Sequence, residues 1–203
     1  PKEKEQPECD FHPMPDNMVQ VLQVSDIEDS VWTSSRQIFF DWMMLDSHII
    51  GFAFSFGQGA AYFHYVENEH RFYQDFIKKI FASDYNIITY DAKPTYKDLK
   101  AFKVTPTVTF FDIQIAHYLI QPETTHTLTK ICESYFSYSL KEVAEPKESM
   151  AMERIGCYEA LYPILLEEMR NNQVENLFTD VEMPLVEVLA DMEQTGIRVD
   201  VDI

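Results

Sequence analysis

The sequence predicts an α/β domain on a mixed central sheet, with three antiparallel strands first and helices flanking them. Three observations predict it. Three β-rich runs follow one another early, with turn residues between them. Short apolar runs then alternate with segments of helical periodicity. The chain closes on two long amphipathic patterns. Hydrophobic residues make up 46% and aromatics 14%, enough to fill a sizeable core.

Residues 1–17 are rich in proline and acidic groups, lack periodicity, and read as a linker or frayed tail. Residues 19–24 alternate and suit a strand, and 26–30 suit a short helical turn. The three antiparallel strands are expected at 37–43, 48–56 and 60–66. Asp46-Ser47 and Gly57-Gln58-Gly59 make the turns between them. Residues 69–82 space Phe72, Phe76, Ile77 and Ile80 as a helix does. A buried strand at 86–90 precedes a helix at 94–102, with Pro94 tolerated in its first turn. Residues 108–111 are apolar, and Asp112 is placed to cap a helix at 113–120. A further helix is expected at 128–136 and a charged loop at 141–149. The closing helices span about 151–171 and 182–194, the second with Pro184 near its start and Gly196 as its stop.

Composition excludes several classes. The formal net charge is −18, from 34 acidic and 16 basic residues. Phosphate backbones repel such a surface, so a strong DNA binder is not expected. Lys78, Lys79, Lys93, Lys97 and Lys100 form a modest basic patch that reads as a solvated helix face. Cys9, Cys132 and Cys157 are odd in number and widely spaced, which indicates reduced thiols, not a disulfide framework or zinc site. The six histidines lack metal-ligand spacing and read as surface or helix-start groups. No Gly-x-Ser-x-Gly elbow or glycine-rich phosphate loop occurs. Aromatics such as Phe52, Phe54, Phe56, Tyr62, Phe63 and Tyr65 could stack bases, but their strand positions favour core packing. No apolar run approaches the ~18 residues of a membrane span. Pro1 in place of Met, and a last residue soon after a helix stop, read as cuts within a longer polypeptide.

Residues 177–200 read LFTDVEMPLVEVLADMEQTGIRVD. They combine Glu182, Pro184-Leu185, Met192-Glu193, Gly196 and Asp200 in one helix, stop and extended stretch. This resembles the segment of family A bacterial DNA polymerases that leaves the 3′–5′ exonuclease domain and enters the polymerase region. Upstream residues agree in order. Residues 38–41 and 50–65 resemble the first exonuclease strand and its neighbours. Thr89-Tyr90-Asp91-Ala92-Lys93 resembles the second exonuclease motif. Phe111-Asp112, Ala116-His117-Tyr118-Leu119 and Pro122 resemble a family helix, and His126-Thr127-Leu128 resembles its next helix start. The resemblance covers about 19–203. It implies a ribonuclease-H-like (DnaQ-like) exonuclease fold at 18–178, with a connecting helix and the start of a polymerase region at 179–203.

The resemblance also implies a two-metal reaction, in which carboxylates hold dications about 4 Å apart. The family supplies them as Asp-x-Glu, as the Asp ending Asn-x-x-x-Asp, and as the Asp ending Tyr-x-x-x-Asp. Here Asp41 matches the first Asp, but Met43 stands at the Glu position. Asp91 takes the Asn position and Thr95 the Asp position of the second motif. Met150 and Arg154 take the Tyr and Asp positions of the third. One carboxylate cannot hold two dications, and an arginine adds positive charge where metal charge should go. Catalytic and metal-binding residues are therefore not expected, and these positions read as vestigial.

The resemblance thus implies a catalytically inactive exonuclease-like domain that supports a cytoplasmic DNA polymerase in replication and repair. No cofactor is expected for this piece. Mg2+ or Mn2+ would serve the parent polymerase, a DNA-directed nucleotidyltransferase. The expected partner is the rest of the polymerase chain in cis, with DNA engaged through it and weakly or not at all by this piece. Two alternatives stand beside this reading. One is an active proofreading nuclease using Mg2+ or Mn2+ with relocated ligands such as Glu153 and Glu159. The other is an acidic protein-interaction module.

Overall fold

The computed structural model describes residues 11–46, 48–66, 70–141 and 148–196. Its elements run β1 (Asn17–Gln20), a 3-10 turn (Val24–Asp26), α1 (Asp29–Trp32), β2 (Gln37–Leu45), β3 (His48–Ser55) and β4 (Ala60–Tyr65). Then come α2 (His70–Phe81), β5 (Asn86–Thr89), α3 (Ala92–Ala101), β6 (Thr109–Asp112), α4 (Ile113–Ile120) and α5 (Leu128–Phe136). The chain continues through α6 (Glu148–Asn171), α7 (Glu175–Leu177), a π-helical segment (Phe178–Glu182) and α8 (Met183–Thr195).

Six strands form one sheet in the order β1-β4-β3-β2-β5-β6. β2, β3 and β4 make the expected antiparallel meander, while β5, β6 and the edge strand β1 pair in parallel. Gly57 and Gly59 turn β3 into β4 at φ values of +76° and +77°, which a side chain would resist. Strand alternation divides β2 between two layers. Phe40 and Trp42 face α2 and α3, where Phe40 meets Phe81 at 4.9 Å and Phe52 meets Phe76 at 5.6 Å. Phe39 and Asp41 face α6, where Phe39 meets Tyr162. Phe52, Phe54, Phe56 and Phe63 are buried, so the aromatic strands supply core as expected.

Several boundaries differ from the expected ones for local reasons. β1 ends at Gln20 because the Asp26 carboxylate draws the Leu22 and Gln23 N–H groups into a turn, at 2.8 and 3.0 Å. α3 starts at Ala92, two residues earlier than expected, because Asp112 Oδ2 accepts the Ala92 N–H at 2.7 Å. Asp112 also caps α4 as expected, taking Gln114 N at 2.8 Å and Ile115 N at 3.2 Å. One buried carboxylate therefore fastens two helix starts. Burial pushes it up to about 6 against the pull of those backbone bonds. The final helix is not isolated from what precedes it. α7, the π segment and α8 run on as one helical stretch, and the 178/179 boundary falls inside it.

The expected frayed tail needs correction where it is described. Phe11 stacks on Phe136 with ring centroids 4.1 Å apart, and Pro13 is buried. Gly156 on α6 admits that segment: a Cβ there would overlap the Pro13 carbonyl. Residues 1–10, with Cys9, lie outside the described residues, as do Ser47 of the first turn, 142–147 of the charged loop, and Asp200 of the C-terminal motif.

The basic patch and the histidines are also corrected. Lys93 pairs with Glu193 at 2.8 Å, Lys97 pairs with the same carboxylate, and Lys100 pairs with Asp191 at 2.5 Å. The lysine face of α3 is therefore a clamp on α8. Lys79 lies over the Trp32 ring at 5.5 Å. His64 and His117 are buried, not surface groups. His64 Nδ1 lies 2.8 Å from the Val21 carbonyl oxygen, where its N–H can donate. His117 Nδ1 lies 2.8 Å from His126 Nδ1, so one ring must donate and the other accept. Burial lowers His117 to about 4, and the nearby His126 adds to the effect.

The folded value for His117 lies below the ordinary 6.5, so the unfolded chain takes up this proton first. The stability held by neutral His117 is full above pH 6.5 and is lost as the pH falls towards 4. His117→Gln is expected to flatten that loss, measured as the change in urea midpoint between about pH 7.5 and 4.5. Equal losses in both proteins would refute the assignment. At the tail contact, Gly156→Ala forces a methyl into the Pro13 backbone and is expected to cost about 1–3 kcal/mol, read from the same urea curves.

Candidate functional site

The site forms where β2 crosses α6. Strand alternation aims Asp41 at the helix, and it is 6% exposed. Arg154 and Tyr158 lie one turn apart on α6 and so share a face. Both converge on Asp41. Arg154 Nε lies 2.8 Å from Asp41 Oδ2, and Arg154 Nη2 donates to Oδ1 at 3.2 Å. The Nε contact is an ion pair without hydrogen-bond alignment. The Tyr158 hydroxyl donates to Oδ1 at 3.0 Å. The guanidinium also stands 5.8 Å from the centre of the Tyr90 ring.

Burial pushes the Asp41 carboxyl up, while Arg154 and Tyr158 oppose that shift. For Arg154, burial works to lower it, and Asp41 with Tyr158 more than offsets this, so its proton is held more tightly than usual. Burial likewise pushes Tyr158 well above the ordinary phenol range. The cluster is thus one cation, one carboxylate and one neutral donor, with little negative potential to spare.

The other expected positions do not complete a metal centre. Met43 follows Asp41 on the same strand, where its buried thioether methyl presses on Gly51. A β-bulge begins just after it, between Met43 and Met44. Thr95 is 2% exposed, and its hydroxyl accepts from Trp42 Nε1 at 3.1 Å. Trp42 faces the opposite side of the sheet from Asp41, so Thr95 is not brought to the cluster. Asp91 sits at the head of α3 in a left-handed backbone conformation, φ 56°, with its N–H turned to Asp112 Oδ1 at 3.3 Å. Met150 lies on the first turn of α6, half-buried.

The acidic residues considered as substitutes have partners of their own. Glu153 is 3% exposed and accepts the Tyr138 hydroxyl. Burial raises Glu159, and a hydrogen bond from Ser55 opposes it. Ser55 pairs with Phe39, two residues along β2 from Asp41. Among the described residues no three His, Cys, Asp or Glu side chains converge to hold an ion. Hard dications need several carboxylate oxygens. Asp41, a thioether, a hydroxyl facing away and a guanidinium do not fit that need.

Tyr158 was missed in the sequence. Its one signal was the spacing of four from Arg154, which matters only once Arg154 is known to face β2. Cys132 and Cys157, far apart in sequence, are free and buried, and the neighbouring Cys132 together with burial pushes the Cys157 thiol up.

Comparisons with known proteins place the fold and the family. The family model described as DNA polymerase I, ribonuclease H-like domain, matches residues 40–145, just over half of the chain. The chain is 30% identical to DNA polymerase I of Streptococcus pneumoniae, over 75% of its own length and 18% of that protein. It therefore spans under a fifth of that relative. Among solved structures, Pol1 of M. smegmatis, in complex with DNA primer-template and dNTP, superposes at a TM-score of 0.74 and 19% identity. The match covers 90% of this chain and 33% of that one. Brucella melitensis NrnC with bound Mg2+ superposes at 0.71 and 14% identity, covering 92% and 96%. The fold is thus ribonuclease-H-like, with a mixed six-stranded sheet between helical layers, and the chain belongs to the ribonuclease H-like, 3′–5′ exonuclease domain family of DNA polymerase I.

Proposed function

We propose that this domain is a catalytically silent 3′–5′ exonuclease-like module that supports a DNA polymerase acting in replication and repair. The observation that carries it is the Arg154 guanidinium 2.8 Å from the Asp41 carboxylate. A two-metal nuclease needs negative oxygens to gather dications, activate water and stabilise the leaving oxygen. Here the retained carboxylate is neutralised by an internal cation, and Tyr158 takes another of its lone pairs. The domain itself then needs no cofactor. Mg2+ or Mn2+ would serve the polymerase, a DNA-directed nucleotidyltransferase. The net charge of −18 supports little DNA affinity in this domain, with DNA held by the rest of the polypeptide in cis. The cytoplasm is the compartment that fits this role.

A second reading is an active nuclease with relocated ligands. The likeness to NrnC, solved with bound Mg2+, favours it at the level of fold. The engagement of Glu153 with Tyr138 weighs against it.

Purified protein is expected to leave single-stranded DNA untrimmed at every Mg2+ or Mn2+ concentration. Metal-dependent trimming that disappears in Asp41→Ala would overturn the silent reading. Conversely, Met43→Glu combined with Arg154→Asp puts three carboxylates beside one another and is expected to gain Mn2+ binding, read by electron paramagnetic resonance. No gain would mean that these two positions are not what the site lacks. Arg154→Ala alone leaves Asp41 buried without its cation and is expected to cost about 3 kcal/mol in urea denaturation.

A further inference from the structure

Residues 121–127 join α4 to α5, and 122–125 are exposed. Inside this connection the Thr124 N–H donates to the Gln121 carbonyl at 3.2 Å, which ties the segment only to itself. Its far end is held to the domain through His126, in two ways. The His126 ring meets His117 of α4, nine residues away, with their Nδ1 atoms 2.8 Å apart. The His126 carbonyl accepts the Tyr90 hydroxyl at 2.9 Å. His117 is 2% exposed, and its Nε2 is buried with no partner. Buried N–H groups without an acceptor are rarer than buried acceptors without a donor. His117 therefore carries its proton on Nδ1 and donates it. His126 accepts on Nδ1 and carries its own proton on Nε2.

No added proton fits this arrangement. On His126 Nδ1 it would face the His117 N–H, and on His117 Nε2 it would leave a buried cation without an acceptor. The surrounding groups do not offset that. Tyr135 of α5 stands 6.0 Å from the His117 ring, and its hydroxyl is held by Glu168 of α6. The Tyr118 ring lies edge-on to His126 at 5.5 Å. Lys130 of α5 pairs with Glu133. Glu123 of the connection and Asp180 of the π segment are exposed, and Glu182 is half-buried. Asp112, at the head of α4, works the other way. Burial pushes it up to about 6, so it takes a proton more readily in the folded chain, and acid favours the folded form there.

The same connection reaches the Asp41 cluster. The Tyr90 hydroxyl that His126 holds also accepts from Gln114 Nε2 at 3.1 Å, and its ring faces the Arg154 guanidinium. We propose that the His117–His126 contact is a proton-operated latch: a proton on either ring parts them, residues 121–127 lift from α4, and Tyr90 is released from its place beside Arg154. The latch is closed at neutral pH and opens on the acid side. It operates whether or not the domain trims DNA.

The test is amide hydrogen exchange read by mass spectrometry on the full-length protein, wild type and His117→Gln, at about pH 7.5 and 5 with intrinsic rates corrected. His117 lies at about 4 in the closed latch and at the ordinary 6.5 in the open one, so opening of 121–127 is expected to rise about 20–30-fold at the lower pH. In His117→Gln the rise is expected to stay within about threefold. Hydroxyl-radical footprinting at the same two pH values is expected to show Tyr90 more oxidised at the lower one, in the wild type only. No rise in the wild type, an equal rise in the variant, or opening without a gain at Tyr90 overturns the proposal. Should His117→Gln fail to fold, exchange at the histidine C2 positions of the wild type decides instead. His117 titrating below about 5 supports the latch, and titration at its ordinary value overturns it.

Discussion

Asp41 and Arg154 meet across the junction of β2 and α6, and the rest of the site follows from that contact. A carboxylate 6% exposed on the helix-facing side of a sheet must be paired or bear a large desolvation cost. In the two-metal nucleases that share this fold, dications can meet that need. Here the guanidinium meets it from within the chain, with Tyr158 filling a further acceptor position. The pair then ties the longest helix to the central strand. Asp41 thus has partners that make it part of the fold's own structure.

Asp112 has a comparable role at the end of β6. Its two oxygens take N–H groups from the starts of α3 and α4, so the segment that carries Asp91 and Thr95 is fastened to β6. That fastening holds whether or not Thr95 is an acid. The sheet's other face is closed by rings, with Phe40, Phe52, Phe76 and Phe81 in edge or offset contact, each such pair worth about 0.5–1.5 kcal/mol beyond area burial. Architecture is thereby separated from catalysis. Losing a metal ligand leaves the aromatic core and the Asp112 cap untouched.

The same separation explains the charge pattern. Of the lysines that looked like a basic surface, Lys93, Lys97 and Lys100 are engaged by α8, and the first two hold Glu193 down at about 2. Basic residues such as Lys78 and Lys103 remain exposed beyond the clamp, but acidic groups outnumber basic ones 34 to 16 in the chain. Such a surface is poorly matched to phosphate.

Much of the fold was legible in the sequence because it is local. Strand alternation at β2 to β4, the Gly57–Gly59 turn, the Asp112 cap, the α5 start and the Gly196 stop each depend on a few neighbouring residues. Where boundaries moved, another group had intervened: Asp26 on the end of β1, Asp112 on the start of α3, Gly156 on the docking of Phe11 and Pro13. The site was legible only as missing carboxylates, since residue type alone shows that methionine, threonine and arginine are not metal-binding acids. The sequence by itself determined the fold class and the family, because periodicity, motif order and side-chain chemistry are written residue by residue. Tertiary structure alone decided that Arg154 reaches Asp41, that Tyr158 joins them, that Thr95 turns to Trp42, and that Lys93, Lys97 and Lys100 bind α8. Those outcomes depend on how α6, α3 and α8 are set against the sheet. That setting comes from the summed packing of residues far apart in the chain, which no local pattern encodes.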